Sequence, residues 1–205
     1  LLERATALRH QSGGGSVTAF PIVETTDSDI SGYIPTNLIS ITDGQIYLDT
    51  ARFERNQRPA VDIGRSVSRI GSAAQSVAMK TAASNLRILM SRFEALEALT
   101  RVGLDVDEST QTVIRRGRVM RELLRQSRLA HRSTADQVLL LTATSEGWLD
   151  EIDLEGIIPQ VARILLRSRA EAAEVMSAID GGALPDQWKE KLRVTIRPDK
   201  VRMRK

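Results

Sequence analysis

Two stretches hold the side chains best suited to chemistry. Ile63-Gly-Arg-Ser-Val-Ser-Arg-Ile-Gly-Ser-Ala-Ala-Gln75 brings Arg65 and Arg69 together with Ser66, Ser68, Ser72, Gly64 and Gly71. Glycines let a backbone pass close to a ligand, hydroxyls hydrogen-bond to oxygen acceptors, and a guanidinium can grip a phosphate through two N–H groups at once. A phosphate-binding loop is one reading of this composition. An ordinary polar loop capping a helix near Ala73 is the other, and on pattern alone it is the simpler. In the second stretch, Tyr33-Ile-Pro-Thr-Asn-Leu-Ile-Ser-Ile-Thr-Asp-Gly-Gln45, Ser40 and Thr42 alternate with Ile39 and Ile41. That alternation predicts a buried strand with both hydroxyls on one face. Hydroxyls so placed need partners, either backbone groups at the strand edge or a ligand.

Other candidates read more plainly. Asp150, Glu151, Asp153 and Glu155 beside Trp148 could pass for catalytic carboxylates, but acids at the start of an amphipathic helix more simply complement its dipole. His131 lies between basic residues just before a helix start and reads as a surface side chain. With no cysteine and two histidines, His10 and His131, the chain cannot build a disulfide, a thiolate site or a His-based zinc centre, and no metal ligands are expected on it. No Gly-x-x-x-x-Gly-Lys-Ser/Thr loop occurs, so any nucleotide phosphates must be cradled by other residues. Net charge is only +3, yet residues 189–205 hold eight basic and two acidic side chains, leaving the remainder slightly acidic. No apolar run approaches the roughly 20 residues of a membrane span, and no signal peptide opens the chain, which predicts a soluble intracellular protein.

The elements that position these residues fall into two classes. Leu1 to His10 reads as the end of a helix stopped by Gly13-Gly14-Gly15, with no cap before it, as if the chain began inside an element of a truncated or split protein. Val17–Glu24, Leu38–Thr42 and Gln45–Leu48 read as short strands, with Pro21 marking an edge or bend and Asp27-Ser28-Asp29 a turn. Short strands after a helix suggest the last units of an open parallel sheet. From Ala73 the period becomes helical: Ala78, Ala82, Leu86, Leu89, Phe93 and Leu96 make one stripe on a long helix, which breaks at Gly103. Val113, Gly117, Met120 and Leu124 mark a second helix, and Thr134-Ala-Asp-Gln137 has the capping-box pattern for a third. Leu154 to Ile179 reads as a fourth, with Pro159 in its first turn and Gly181-Gly182 ending it. The expected fold is α/β followed by all-α: the last strands of a P-loop-type parallel sheet, without the phosphate loop, then a helical bundle. Its divisions are residues 1–72, 73–188 and a solvated basic tail at 189–205.

These motifs resemble the α subunit of F-type ATP synthases. The likeness rests on Tyr33–Gln45, on Arg58-Pro-Ala60 followed by Ser66–Gln75, and on Leu1-Leu-Glu-Arg-Ala5 and Gly14–Ala19, with Leu123-Leu-Arg-Gln126 and Gly147-Trp-Leu-Asp150 as later landmarks. It spans about residues 1–180. The resemblance implies a place in a ring where α subunits alternate with catalytic β subunits around a central γ rotor, peripheral to a bacterial or organelle inner membrane. It implies that Arg69 is an arginine finger reaching the nucleotide on β, with Ser66 supporting the finger loop and Ser40 close to phosphate. Arg58, Pro59 and Gln126 match residues lining the adenine pocket of a non-catalytic site. That pocket has a second glutamine in the family where this chain carries Arg128. ATP or ADP with Mg2+ would be held mainly by the preceding half of the nucleotide domain, on a companion chain, or by the β neighbour. A stand-alone helical interaction module is the competing reading, and a nucleic-acid binder acting through the basic tail a third.

Overall fold

A computed structural model describes residues 2–26, 29–101 and 106–196. The expected turn at Asp27-Ser28, the break at Gly103 and the end of the basic tail, 197–205, lie outside these residues. Ten α-helices and two short strands are described: α1 (Tyr33–Ile41), β1 (Gly44–Gln45), α2 (Thr50–Glu54), β2 (Val67–Ser68), α3 (Gly71–Ala74), α4 (Val77–Ala83), α5 (Leu86–Arg101), α6 (Glu108–Leu124), α7 (Thr134–Ser145), α8 (Ile157–Glu171), α9 (Ala173–Asp180) and α10 (Trp188–Thr195).

The first seventy residues are an irregular, open layer. Leu2–Arg4 and His10–Ser12 form single 3-10 turns rather than the end of an α-helix. Gly13, Gly14 and Gly15 follow with φ of 97°, 68° and 92°, a left-handed run that no helix can continue through. Val17–Glu24 carries no strand; Phe20 and Ile22 are 79% and 95% exposed, so the alternation there has nothing to pair with. Leu38 to Ile41, expected as a strand with Thr42, belong to α1, and Thr42 is its extended C-cap. Ile34, Leu38 and Ile41 recur at helical spacing, Pro35 sits in the first turn where a missing N–H costs nothing, and no described strand lies alongside to supply a ladder. Ser40 and Thr42 therefore do not share a strand face.

The described sheet is a two-residue antiparallel ladder, Gly44 opposite Ser68 and Gln45 opposite Val67, extended by a bridge between Leu48 and Val61. A Cβ at Gly44 would overlap the Val67 carbonyl, so glycine is required for the two segments to close. The sequence between them folds back as a lobe whose buried residues are Tyr47, Ala60 and Asp62. The α/β-then-all-α layout holds, but among the described residues the one sheet is this small antiparallel ladder, not the expected run of parallel strands.

The core sits in the helices. α7 is its centre: Val138 through Thr144 are all buried, and α4, α6 and α9 pack around it. The expected long first helix is two, because Ser84 and Asn85 interrupt it between α4 and α5, but Ala78, Ala82 and Phe93 still point into one core. α5 lies on α6 where Phe93 meets Gly117; a Cβ on Gly117 would overlap the Phe93 ring. α7 is capped one residue earlier than the pattern suggested: the Ser133 side chain accepts from the Asp136 N–H, while Gln137 reaches back to the Arg132 carbonyl. The fourth helix is divided at Ala172 into α8 and α9. Among the four acids near Trp148, Asp150 does not serve the helix dipole but takes a bidentate ion pair from Arg116 of α6, at 2.9 and 3.0 Å to the guanidinium Nε.

The chain does not become a solvated tail at 189. Trp188, Leu192 and Thr195 are buried on one face of α10, which packs on α8 and α9. The Ser168 and Thr195 hydroxyls meet at 2.6 Å in that buried seam, and Lys189 pairs with Glu146 at 2.6 Å. Lys191 and Arg193 of this helix are exposed.

Candidate functional site

The residues from the two chemistry-bearing stretches converge on the β1–β2 ladder. Asp62, just before Ile63–Gln75, opens that stretch with an Asp-Ile-Gly turn: its Oδ1 accepts the N–H groups of Gly64 at 2.9 Å and Arg65 at 3.1 Å. The Asp62 carbonyl then accepts both the N–H of Ser66 at 2.9 Å and its hydroxyl at 2.6 Å. Ser66 Oγ in turn accepts the Tyr47 N–H at 3.0 Å. The Ser66 hydroxyl thus staples the turn to the opposite segment. β2 follows, and Arg69 leaves it with its N–H on the Asp43 carbonyl at 2.8 Å.

The Arg69 side chain is exposed and donates from Nη2 to the Ile39 carbonyl at 3.1 Å. It makes no ion pair among the described residues. Ile39 precedes Ser40, whose exposed hydroxyl donates to the Asn37 carbonyl at 2.7 Å. Arg69 and the C-terminal turn of α1 carrying Ser40 are therefore neighbours, and Ser66 lies behind them in the turn. The rest of Ile63–Gln75 is partly the helix-capping loop of the simpler reading: Ser68 Oγ accepts the Gly71 N–H at 2.8 Å and Ser76 caps α4.

A second cluster forms at the other end of the lobe. The Gln126 N–H donates to the Arg58 carbonyl at 2.8 Å, joining the loop after α6 to the loop after α2. The peptide between Arg58 and Pro59 is cis, and both residues are exposed. The Arg58 guanidinium lies 4.4 Å over the Phe53 ring and bonds the Asn56 side chain. The Gln126 side-chain amide turns to the Ala130 carbonyl. A planar cation, an aromatic ring and an amide are groups of the kind that stack on and hydrogen-bond a flat heterocycle.

Sequence reasoning missed the groups that brace these clusters. Arg52 of α2 donates to Glu94 of α5 at 2.7 Å and lies 3.4 Å from Asp62. Burial opposes the charge on Asp62, but the Arg65 N–H, the Arg52 guanidinium and the Gly64 N–H outweigh it and hold the carboxyl below its ordinary value. Arg87, the second residue of α5, donates to the Ser66 carbonyl at 2.7 Å. Arg52 and Glu94 also line a cleft of about 610 Å³ with Arg55, Glu97 and Arg121. The Asp-x-Gly spacing of Asp62 was a legible turn signal; nothing in the linear pattern joined Arg52 to Glu94.

No group of three or more His, Cys, Asp or Glu gathers as a cation site among the described residues. No helix among them is long and apolar enough to cross a membrane.

The chain matches two family models, described as the ATP synthase alpha/beta family, nucleotide-binding domain, over residues 1–68, and the ATP synthase alpha/beta chain, C terminal domain, over residues 75–198. Among curated proteins it is similar to ATP synthase subunit alpha 1 of Hahella chejuensis, 49% identical over 172 residues, 84% of this chain and 34% of that protein. It is similar to ATP synthase subunit alpha 2 of Syntrophus aciditrophicus, 46% identical over 182 residues, 89% of this chain and 35% of that protein. ATP synthase subunit alpha of Ehrlichia ruminantium is 39% identical over 196 residues, 96% of this chain and 39% of that protein. The chain thus spans between a third and two fifths of the length of these relatives.

Proposed function

Because this chain belongs to the ATP synthase alpha/beta family and is similar to proteins named ATP synthase subunit alpha, we propose that it lends Arg69 to a nucleotide bound on a neighbouring β subunit. The observation that carries this reading is the state of the side chain: exposed, anchored by backbone at its base, held only by the Ile39 carbonyl, and unpaired with any acid among the described residues. Its positive charge is therefore available to a partner. Phosphoryl transfer spreads negative charge over the equatorial oxygens, and an arginine supplied in trans is worth on the order of 10³–10⁵ in rate. Ser66 holds the finger loop through its two hydrogen bonds, and Ser40 stands beside the finger with a hydroxyl free to be turned from Asn37 toward phosphate.

Arg58, Pro59 and Gln126, with Phe53 beside them, form the edge of a second, non-catalytic adenine site. Arg128 in place of a second glutamine adds positive charge to that edge. The nucleotide phosphates and their Mg2+ are held mainly by the β neighbour or by the family's preceding nucleotide-binding segment, on a companion chain if the two are separate. Residues 1–72 then act as the end of the nucleotide domain, and the residues from 73 on as the helical domain, α10 included. The partners are β subunits of an alternating ring and a central γ rotor. The assembly is peripheral to a bacterial or organelle inner membrane, where turnover is coupled to proton or sodium transport.

The experiment is an Arg69→Ala change in the assembled complex. Multisite ATP turnover should fall at least a hundredfold while β subunits still co-purify with the chain. Unchanged turnover would remove Arg69 from the reaction. Failure of the chain to co-purify with any β-type subunit would favour the stand-alone helical module.

A further inference from the structure

Ile63 packs against the helical core, and two polar contacts from α5 also tie the finger loop to the bundle. Arg87 donates to the Ser66 carbonyl at 2.7 Å. Glu94, two helical turns further on, takes Arg52 at 2.7 Å, and Arg52 reaches Asp62 at 3.4 Å. Residues seven apart lie on one face of a helix, about 10 Å apart along its axis. The turn Asp62–Ser66 is thus gripped at both ends by one rigid rod. The Arg52 side chain is 16% exposed and spans two carboxylates, so water competes weakly for it. Arg69 stands three residues beyond this turn, across the ladder that Gly44 permits to close.

We propose that Arg52 is a positioning residue for Arg69, joining Glu94 of α5 to Asp62 so that the attitude of the helical bundle fixes the finger's reach. This rests on the finger reading of Arg69. Arg52 touches no reacting atom. Its effect is on orientation, where small misplacement of a transition-state contact is expensive. A shift of α5 would be passed to the loop at Ser66 and Asp62 together, carrying the turn as a unit rather than bending it.

The test uses the complete complex with this chain in place. Arg52→Met should lower maximal multisite ATP turnover by roughly 10–100-fold, the scale of a displaced contact, with KM for ATP and the yield of assembled complex unchanged. Arg52→Lys, which keeps a cation within reach of both acids, should restore most of the loss. In an Arg69→Ala background, with residual turnover followed by labelled ATP, Arg52→Met should add less than twofold. If Arg52→Met prevents assembly, Glu94→Gln removes the same bridge and must show the same profile. Full turnover in Arg52→Met, an equal loss with and without Arg69, or no recovery with lysine would each overturn the proposal. If Arg69→Ala is itself silent, the finger reading falls; if Arg69→Ala disables turnover and Arg52→Met does not, only the positioning role falls.

Discussion

The N–H of Gln126 donates to the carbonyl of Arg58 at 2.8 Å, and this one bond seats the loop after α6 against the lobe that carries the finger. Because it is a backbone bond, substituting either side chain leaves it standing. The two side chains can therefore be removed to probe ligand binding without releasing the loop that presents them.

The first prediction follows from that separation. Arg58→Ala removes the cation stacked on Phe53, and should weaken retention of adenine nucleotide by the isolated complex about tenfold, the scale of one charge-assisted contact. Gln126→Ala should weaken it less, since that amide is already turned to Ala130. Bound nucleotide counted after gel filtration measures both. Equal retention by wild type and Arg58→Ala would detach this edge from nucleotide binding.

Asp62 supplies a dependence on pH. Its carboxyl is held below its ordinary value, with the Arg65 N–H and the Arg52 guanidinium overcoming the cost of burial. A depressed carboxylate stabilises the folded chain fully above the ordinary carboxylate range, and that stabilisation is lost as pH falls through the folded value. Asp62→Asn should therefore lower the urea midpoint at pH 7, and the gap to wild type should narrow toward pH 3. A gap that stays constant would mean that shape, not charge, holds the turn.

How far the sequence foretold this arrangement differs by element. α7 was legible because Val138-Leu-Leu-Leu141 is apolar and a hydroxyl stands just before it, although the cap proved to be Ser133 rather than Thr134. α10 was hidden by its own charges: Lys189, Glu190, Lys191 and Arg193 dominate a count, whereas the Trp188, Leu192, Thr195 stripe decides burial. Ile39 to Thr42 alternates like a strand, yet Ile39 to Ile41 wind as a helix, since a short apolar run fits either period until a neighbouring strand chooses. Arg69 and Ser66 were visible as a cluster because they are close in sequence. The meeting of Gln126 with Arg58 had no local signal, and only the family resemblance grouped them.

Gly117 offers a test of the packing beneath the site. With the Phe93 ring occupying the space a Cβ would take, Gly117→Ala must push α5 from α6 or force the ring out of its rotamer. Overpacking costs about 1–3 kcal/mol, set against roughly 1 kcal/mol gained from alanine's helix propensity. The expected net is a loss, read as a lower urea midpoint by tryptophan fluorescence. A gain in stability would show that the two helices can part freely at this point.

The α8–α10 seam makes the last prediction. Ser168 and Thr195 are 0% and 2% exposed and share a 2.6 Å hydrogen bond, with Thr195 Oγ also donating to the Leu192 carbonyl at 2.7 Å. Ser168 must then be the donor between them. Thr195→Val keeps the volume but strands the Ser168 hydroxyl away from water, at a cost of about 1–3 kcal/mol. Ser168→Ala together with Thr195→Val removes the orphan as well, so the double variant should be less destabilised than the sum of the two single changes. Trp188 reports the seam directly through its fluorescence. Strict additivity of the two losses would mean that the two hydroxyls do not depend on each other.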